Sequence, residues 1–242
     1  MNRLVGVGVG PGDPELVTVK AVRVMRDADV VLVPVLAGDE PGRAEATVRV
    51  YVPADRLRRA VFTMDEGRGT TPRREAAWDA AAAEVLRAFD GGATTVAFAT
   101  IGDPNVYSTF TYLATTVRTS RPDVAVETVP GITAMQDLSA RAGTVLCEGT
   151  ETLALFPLTA GLDRFGAALQ AFDTVVAYKG GRHLPAVLDV LRSAGRLDDA
   201  VYGASLGLPG EQVLPAAQVT GPGPYLSTLL VPARRDRRGG KL

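Results

Sequence analysis

Loops of bare backbone are the first residues here that could do chemistry. Positions 6–14 read GVGVGPGDP, four glycines within seven residues after a short apolar run. Such a loop can hold phosphate on backbone amides where a helix begins. The dinucleotide fingerprint needs glycines at i, i+2 and i+5. Counted from Gly6 the last position is Pro11, and counted from Gly8 it is Asp13, so neither frame fits. Asp13 would cap the amides itself and repel a phosphate. No Gly-Lys-Ser/Thr follows, which removes the P-loop. A tight strand-to-helix turn remains, or a loop whose bare backbone lets a flat, bulky molecule come close. The tripeptide Gly12-Asp13-Pro14 recurs as Gly102-Asp103-Pro104, followed by hydroxyls and a ring in Asn105-Val-Tyr-Ser-Thr-Phe110. A third loop, Val129-Pro-Gly-Ile-Thr-Ala-Met135, has the same form. Each alone suits a capped turn. At the carboxyl ends of parallel strands, together, they could line one crevice.

Other chemistry is scarce. The single cysteine, Cys147, cannot form an internal disulfide and suits a small buried residue better than a nucleophile. The single histidine, His183, leaves little room for zinc or a Ser-His-Asp triad and suits a helix start. The lone Trp78 suits packing. A net charge of −1 gives no argument for nucleic acid or membrane. Apolar runs such as Val30–Leu36 are too short to span a bilayer, and the first residues lack a signal-peptide apolar region. The expectation is a cytoplasmic protein without metal, nucleic-acid or membrane partners.

The elements that must position the loops alternate between β-branched runs and helical stretches, in a chain of 242 residues. Strands are predicted at 4–9, 29–34 and 94–100. A helix is predicted from Asp13 as N-cap to about Arg26. Another runs from Pro72, capped by Thr71, to Phe89, with Ala76, Ala80, Ala83, Val85 and Leu86 on its apolar side and Gly91-Gly92 ending it. A third covers 107–117. The stretch 119–123 reads as a linker. After it come a strand at 124–129, a helix from Pro130 to about Arg141, strands at 153–156 and 174–178 with a helix between, and a helix at 184–194. The last strands, 200–205, 212–214 and 226–231, have no helix between them, which predicts antiparallel pairing. The fold class is α/β in two domains, 1–118 and 119–233, the first mostly parallel and the second mixed. The basic tail 234–242 is expected to be disordered.

Taken in order along nearly the whole chain, GVGVGPGDPELVTVKA, IGDPNVYSTF, VPGITA and VVAYKGG resemble the tetrapyrrole (corrin/porphyrin) methyltransferases. FTMDEGRG, AAWDAAAAEVLRAFDGG, VAFATIGDPNVYSTFTYL and YLSTLLV are most similar to members that methylate carbon 20 of precorrin-2. The chain departs from that pattern at 38–42, which lacks a serine- and alanine-rich segment, and at Tyr178, where many relatives have methionine.

The resemblance implies the tetrapyrrole methylase fold, two α/β domains with a cleft between them and not a classical Rossmann methyltransferase. It implies S-adenosylmethionine as methyl donor, no metal, a tetrapyrrole substrate and a homodimer. Carried over by position, Pro11, Gly102, Asp103, Val106, Tyr107, Ser108, Thr109, Thr133, Ala134, Tyr178, Ala204, Ser205, Thr228 and Leu229 meet the cofactor. Gly10, Gly12, Asp13 and Lys179 meet the substrate.

The implied reaction is displacement at an activated sulfonium methyl by a nucleophilic meso carbon, for which orientation can supply about 7–11 kcal/mol. Asp103, Tyr107 and Asp13 are candidate proton acceptors, with Asp13 better suited to capping; Asp103 and Tyr107 are taken as catalytic. Carboxylates on the substrate call for cations. Arg43, Arg49, Arg58, Arg59, Lys179, Arg182 and His183 are available, with Arg58 and Arg59 better suited to a solvated helix face. The implied product is precorrin-3A, in cobalamin biosynthesis. Alternatives are the cobalt-containing substrate, another ring position, a nicotinamide dehydrogenase, or a binding module without turnover.

Overall fold

The computed structural model describes residues 1–36, 41–62, 69–224, 226–237 and 239, with Arg182 described by its backbone alone. The 38–42 departure, FTMDEGRG, YLSTLLV and the tail therefore fall wholly or partly outside the described residues. The chain divides into two compact units, Met1–Thr133 and Ala134–Leu242.

In the first unit, β1 (Arg3–Gly8), α1 (Val19–Asp27), β2 (Val30–Val35), α2 (Arg43–Val48), β3 (Leu57–Val61), α3 (Pro72–Asp90), β4 (Thr95–Thr100), α4 (Phe110–Ser120) and β5 (Ala125–Val129) follow in order. The five strands form one sheet, ordered β3-β2-β4-β1-β5, and every pairing is parallel. Alternate side chains point to opposite faces. Leu4, Leu32, Val96 and Phe98 meet α3 and α4, while Val5, Val7, Val31, Val33, Ala97 and Ala99 meet α1 and α2. The strand 125–129, which the linker at 119–123 sets apart in sequence, hydrogen-bonds to β1 and belongs to this sheet.

Three local expectations change. The first helix breaks. Asp13 caps only a short turn, Pro14–Leu16, and the chain is extended at Val17 and Thr18, whose hydroxyl caps α1 afresh. In α3 the buried residues are Ala81, Ala82, Val85 and Phe89, while Ala76 and Ala80 are exposed. An alanine-rich helix has little contrast from which to read a face. The helix expected from Tyr107 starts at Phe110, because Tyr107 takes a left-handed φ of 52°. Trp78 does pack, stacked on Tyr112 with ring centroids 4.4 Å apart.

The second unit holds α5 (Ala134–Ala142), β6 (Leu153–Pro157), α6 (Leu162–Ala171), β7 (Thr174–Tyr178), α7 (Leu184–Ser193), β8 (Val201–Ala204), β9 (Gln212–Pro215) and β10 (Ser227–Val231). Its sheet runs β6-β7-β10-β8-β9. Only β6 and β7 pair in parallel; the last strands are antiparallel, as the absence of intervening helices predicts. Helices α6 and α7 cover one face through Phe165, Leu169, Val187 and Leu191, and Leu138 of α5 packs on the other against Val176 and Leu230. His183 holds the N-cap position of α7. Cys147 is exposed, not buried: it lies in an irregular stretch after α5. The start of the tail is fastened, with Arg234 bonded to Asp199 at 2.6 Å and Arg235 to Glu151 at 2.9 Å.

Arg59 does not lie on the solvated helix face expected of it, and it shares a buried partner with Arg49. Both clasp Glu45 of α2, whose side chain is 1% exposed, at 2.6 and 2.8 Å, and Arg59 lies on edge strand β3. These guanidinium hydrogen bonds, Arg59 foremost, hold the Glu45 carboxyl down to about 2 against an ordinary 4.5. A folded value below the unfolded one stabilises fully above pH ~4.5 and is lost as pH falls toward ~2. The expected contribution is about 3 kcal/mol. Denaturant unfolding of wild type and Glu45→Gln across that range checks it: the gap between them closes on acidification.

Candidate active site

In the first unit the three loops meet at the carboxyl ends of adjacent strands. Helix α1 carries the chain from β1 toward β2 on one face of the sheet, and α4 carries it from β4 across to β5 on the other. The β1 and β4 loops therefore part in opposite directions, which makes a topological switch point. The loops touch through backbone. Gly102 N–H donates to Gly10 C=O at 2.7 Å. A Cβ on Gly131 would lie 2.1 Å from the Gly102 oxygen, and one on Gly8 would lie 2.5 Å from the same atom. Gly102 itself is left-handed, with φ 70°, and a Cβ there would meet only the Thr133 Cα, at 4.0 Å. The close approach thus needs glycine at Gly8 and Gly131, and Gly102 is needed for its turn.

Asp103 fastens this junction. One carboxylate oxygen accepts from Asn105 N–H at 2.8 Å, the other from Gly131 N–H at 2.9 Å. Each oxygen keeps a further lone pair. Ser108 donates to Thr100 Oγ1 at 3.1 Å and accepts from Phe110 N–H at 3.1 Å, so it caps α4; Thr109 sits in the cap position without a side-chain bond. The Tyr107 ring is 43% exposed, and the partial burial of its phenol raises the pKa above the usual tyrosine value. Asp13 accepts from Glu15 N–H at 2.9 Å, the capping role its position suggests. Gly10, Pro11 and Gly12 are buried, and Val106 and Thr133 are half-buried.

In the second unit the predicted residues gather at one end of the three central strands. Tyr178 pairs in register with Thr228 of β10, and Ser227 with Ala204 of β8. Lys179 and Ser205 follow directly, both left-handed at φ 63° and 50°. Tyr107, Lys179 and Ser205 are the non-glycine residues with positive φ among the described residues. Each stands at a predicted site position, and backbone strain of this kind collects at functional sites. Leu229 differs: its side chain is 2% exposed in the core beneath α6 and α7, so only its backbone could meet a ligand. Ala134 opens α5 and packs against the cluster around Leu138.

Residues absent from the sequence reading support both sets. Thr47 and Tyr51 bond the first loop, at Gly12 and Pro14. In the second unit Glu211 accepts from Gly207 N–H at 2.6 Å and from Arg141 at 2.8 Å, and Arg141 also holds buried Asp137 at 2.8 Å. That chain ties the turn after Ser205 to α5. The i,i+4 spacing of Asp137 and Arg141 was a readable signal; nothing local marks Thr47. No group of three or more His, Cys, Asp and Glu able to hold a metal occurs among the described residues. No helix there is long and apolar enough to cross a membrane.

An all-parallel sheet ending in three fused glycine loops without a phosphate fingerprint, followed by a mixed sheet, defines an α/β fold outside the dinucleotide-binding class. The family described as Tetrapyrrole (Corrin/Porphyrin) Methylases matches residues 3–219. The chain belongs to this family and is an S-adenosylmethionine-dependent methyltransferase. It is similar to the precorrin-2 C(20)-methyltransferase of Sinorhizobium sp, 33% identical over 98% of each chain. It is also similar to the cobalt-precorrin-2 C(20)-methyltransferase of Salmonella typhimurium, 31% identical over 95% of this chain and 96% of that one. The uroporphyrin-III C-methyl transferase of Thermus thermophilus, solved with S-adenyl homocysteine, shares the fold at TM-score 0.60 and 23% identity, covering 95% of this chain and 97% of that one.

The packing gives a direct test. Gly131→Ala drives a methyl into backbone on two sides and is expected to cost roughly 3 kcal/mol. Thermal unfolding measures it. A midpoint equal to wild type would mean that the loops can separate without penalty.

Proposed function

We propose that this enzyme transfers a methyl group from S-adenosylmethionine to carbon 20 of precorrin-2, in cobalamin biosynthesis. The observation that carries the reading is full-length similarity to C(20)-methyltransferases combined with the junction of three loops. The cofactor supplies an activated sulfonium methyl when bound. The donor set suits it: open space beside the left-handed Gly102, hydroxyls on Tyr107 and Thr133, and small apolar surface at Val106 and Ala134.

In this reading the loop junction holds the reacting groups in line, the main source of rate when the leaving group is already activated. Asp103 keeps Gly102 and Gly131 in place and retains lone pairs to accept a proton. Asp103 and Tyr107 are the two acceptors in this reading, with Asp103 favoured because its carboxylate sits in the loop junction itself. Tyr178, Ala204, Ser205 and the backbone at Thr228 and Leu229 bind the adenosine part, and Lys179 meets a substrate carboxylate. The buried backbone of Gly10, Pro11 and Gly12 forms a rigid floor for the tetrapyrrole. The same reading includes a cytoplasmic homodimer.

Anaerobic incubation with S-adenosylmethionine and precorrin-2, read by mass spectrometry, tests this against a parallel sample of the cobalt form. One added methyl on precorrin-2, placed at carbon 20 by isotope-labelled NMR, is the expected result. Transfer to the cobalt form alone assigns the enzyme to that substrate, and transfer to neither overturns the reading. Tyr107→Phe is expected to lower kcat about tenfold; an unchanged kcat removes its hydroxyl from the reaction.

A further inference from the structure

We infer that Thr47 and Tyr51, outside the family loops, are positioning residues that set the surface the first glycine loop presents to the tetrapyrrole. The inference rests on the proposed substrate. Thr47, on α2 and 1% exposed, donates its hydroxyl to Gly12 C=O at 2.9 Å. Tyr51, just beyond the helix, donates its phenol to Pro14 C=O at 2.6 Å. Asp13, between those carbonyls, turns its own side chain to the Glu15 amide. Two hydroxyl tethers thus hold the Gly12 and Pro14 carbonyl oxygens toward α2 and the residue just beyond it.

This orientation has an electrostatic consequence. Carbonyl oxygens carry partial negative charge, and the proposed substrate carries carboxylates. A loop with its oxygens turned inward repels such a ligand less than one with them turned outward. The tethers are themselves anchored. Glu45, two positions before Thr47, binds Arg59 of β3 at 2.8 Å, which fastens α2 to the edge of the sheet. Tyr51 is held from the other side, where Arg26 Nε donates to its carbonyl at 3.3 Å.

The test compares wild type with Thr47→Val, Thr47→Ser and Tyr51→Phe. Steady-state methylation is measured with the tetrapyrrole and S-adenosylmethionine varied separately. Thr47→Val and Tyr51→Phe are each expected to raise KM for the tetrapyrrole at least about fivefold, with KM for S-adenosylmethionine within twofold of wild type. Thr47→Ser, which keeps the hydroxyl, is expected to restore the wild-type value. Hydrogen–deuterium exchange of the peptide covering 10–16 reads the tether without turnover and is expected to quicken in Thr47→Val and recover in Thr47→Ser. Unchanged exchange overturns the inference, as does an equal rise in both KM values or a failure of Thr47→Ser to rescue. If wild type methylates neither tetrapyrrole, the substrate reading falls, and the link from the tethers to substrate falls with it.

Discussion

The first unit depends on a contact between backbones. Gly8, Gly102 and Gly131 approach so closely that a single methyl group at Gly131 would overlap the Gly102 oxygen. Three strands of a parallel sheet can end side by side in most α/β folds, but their loops usually keep side chains between them. Here the side chains are absent, and the loops join through the Gly10–Gly102 hydrogen bond and the bond from Gly131 N–H to Asp103. The junction therefore acts as one rigid piece that collects residues from β1, β4 and β5. An enzyme with little acid–base chemistry of its own needs such rigidity, because its main contribution is alignment.

The second unit reaches a similar end by other means. Its strand ends carry Lys179 and Ser205 in left-handed backbone, a conformation that costs non-glycine residues free energy. The turn after Ser205 is held by Glu211 and Arg141, the latter anchored on buried Asp137. In the first unit the awkward turns fall mainly to glycine, with Tyr107 the exception. In the second, glycines such as Gly161, Gly195 and Gly207 take left-handed turns too, but Lys179 and Ser205 add two at the strand ends.

Much of this was legible in the sequence because it is local. The strand and helix alternation, the Thr71 and Asp13 caps, the antiparallel end and the three loops all follow from short patterns. The features that were missed arise at a distance. The extended pair Val17–Thr18 interrupts what reads as one helix. Glu45 draws Arg59 out of the expected solvated helix face from fourteen residues away in sequence. Cys147 was read as buried from its type, yet its surroundings leave it exposed. The twofold use of Asp103 joins loops 28 residues apart, so no window of the sequence contains it.

The order of the first sheet has a consequence for how the protein is made. Strand β1 precedes the other strands of its sheet, yet its neighbours are β4 and β5, and the contact between Arg3 and Glu127 spans 124 residues. As the chain emerges from the ribosome, β1 has no partner on either edge until β4 has been translated, and none on its second edge until β5 follows. Pairings of such high sequence separation form slowly and leave apolar strands open to aggregation in the interval. The glycines that let the finished loops fuse lie at the ends of these same strands, so the junction closes only after nearly the whole unit is in hand. Closing the junction is thus the last step in assembling this unit, and one edge of β1 stays open until then.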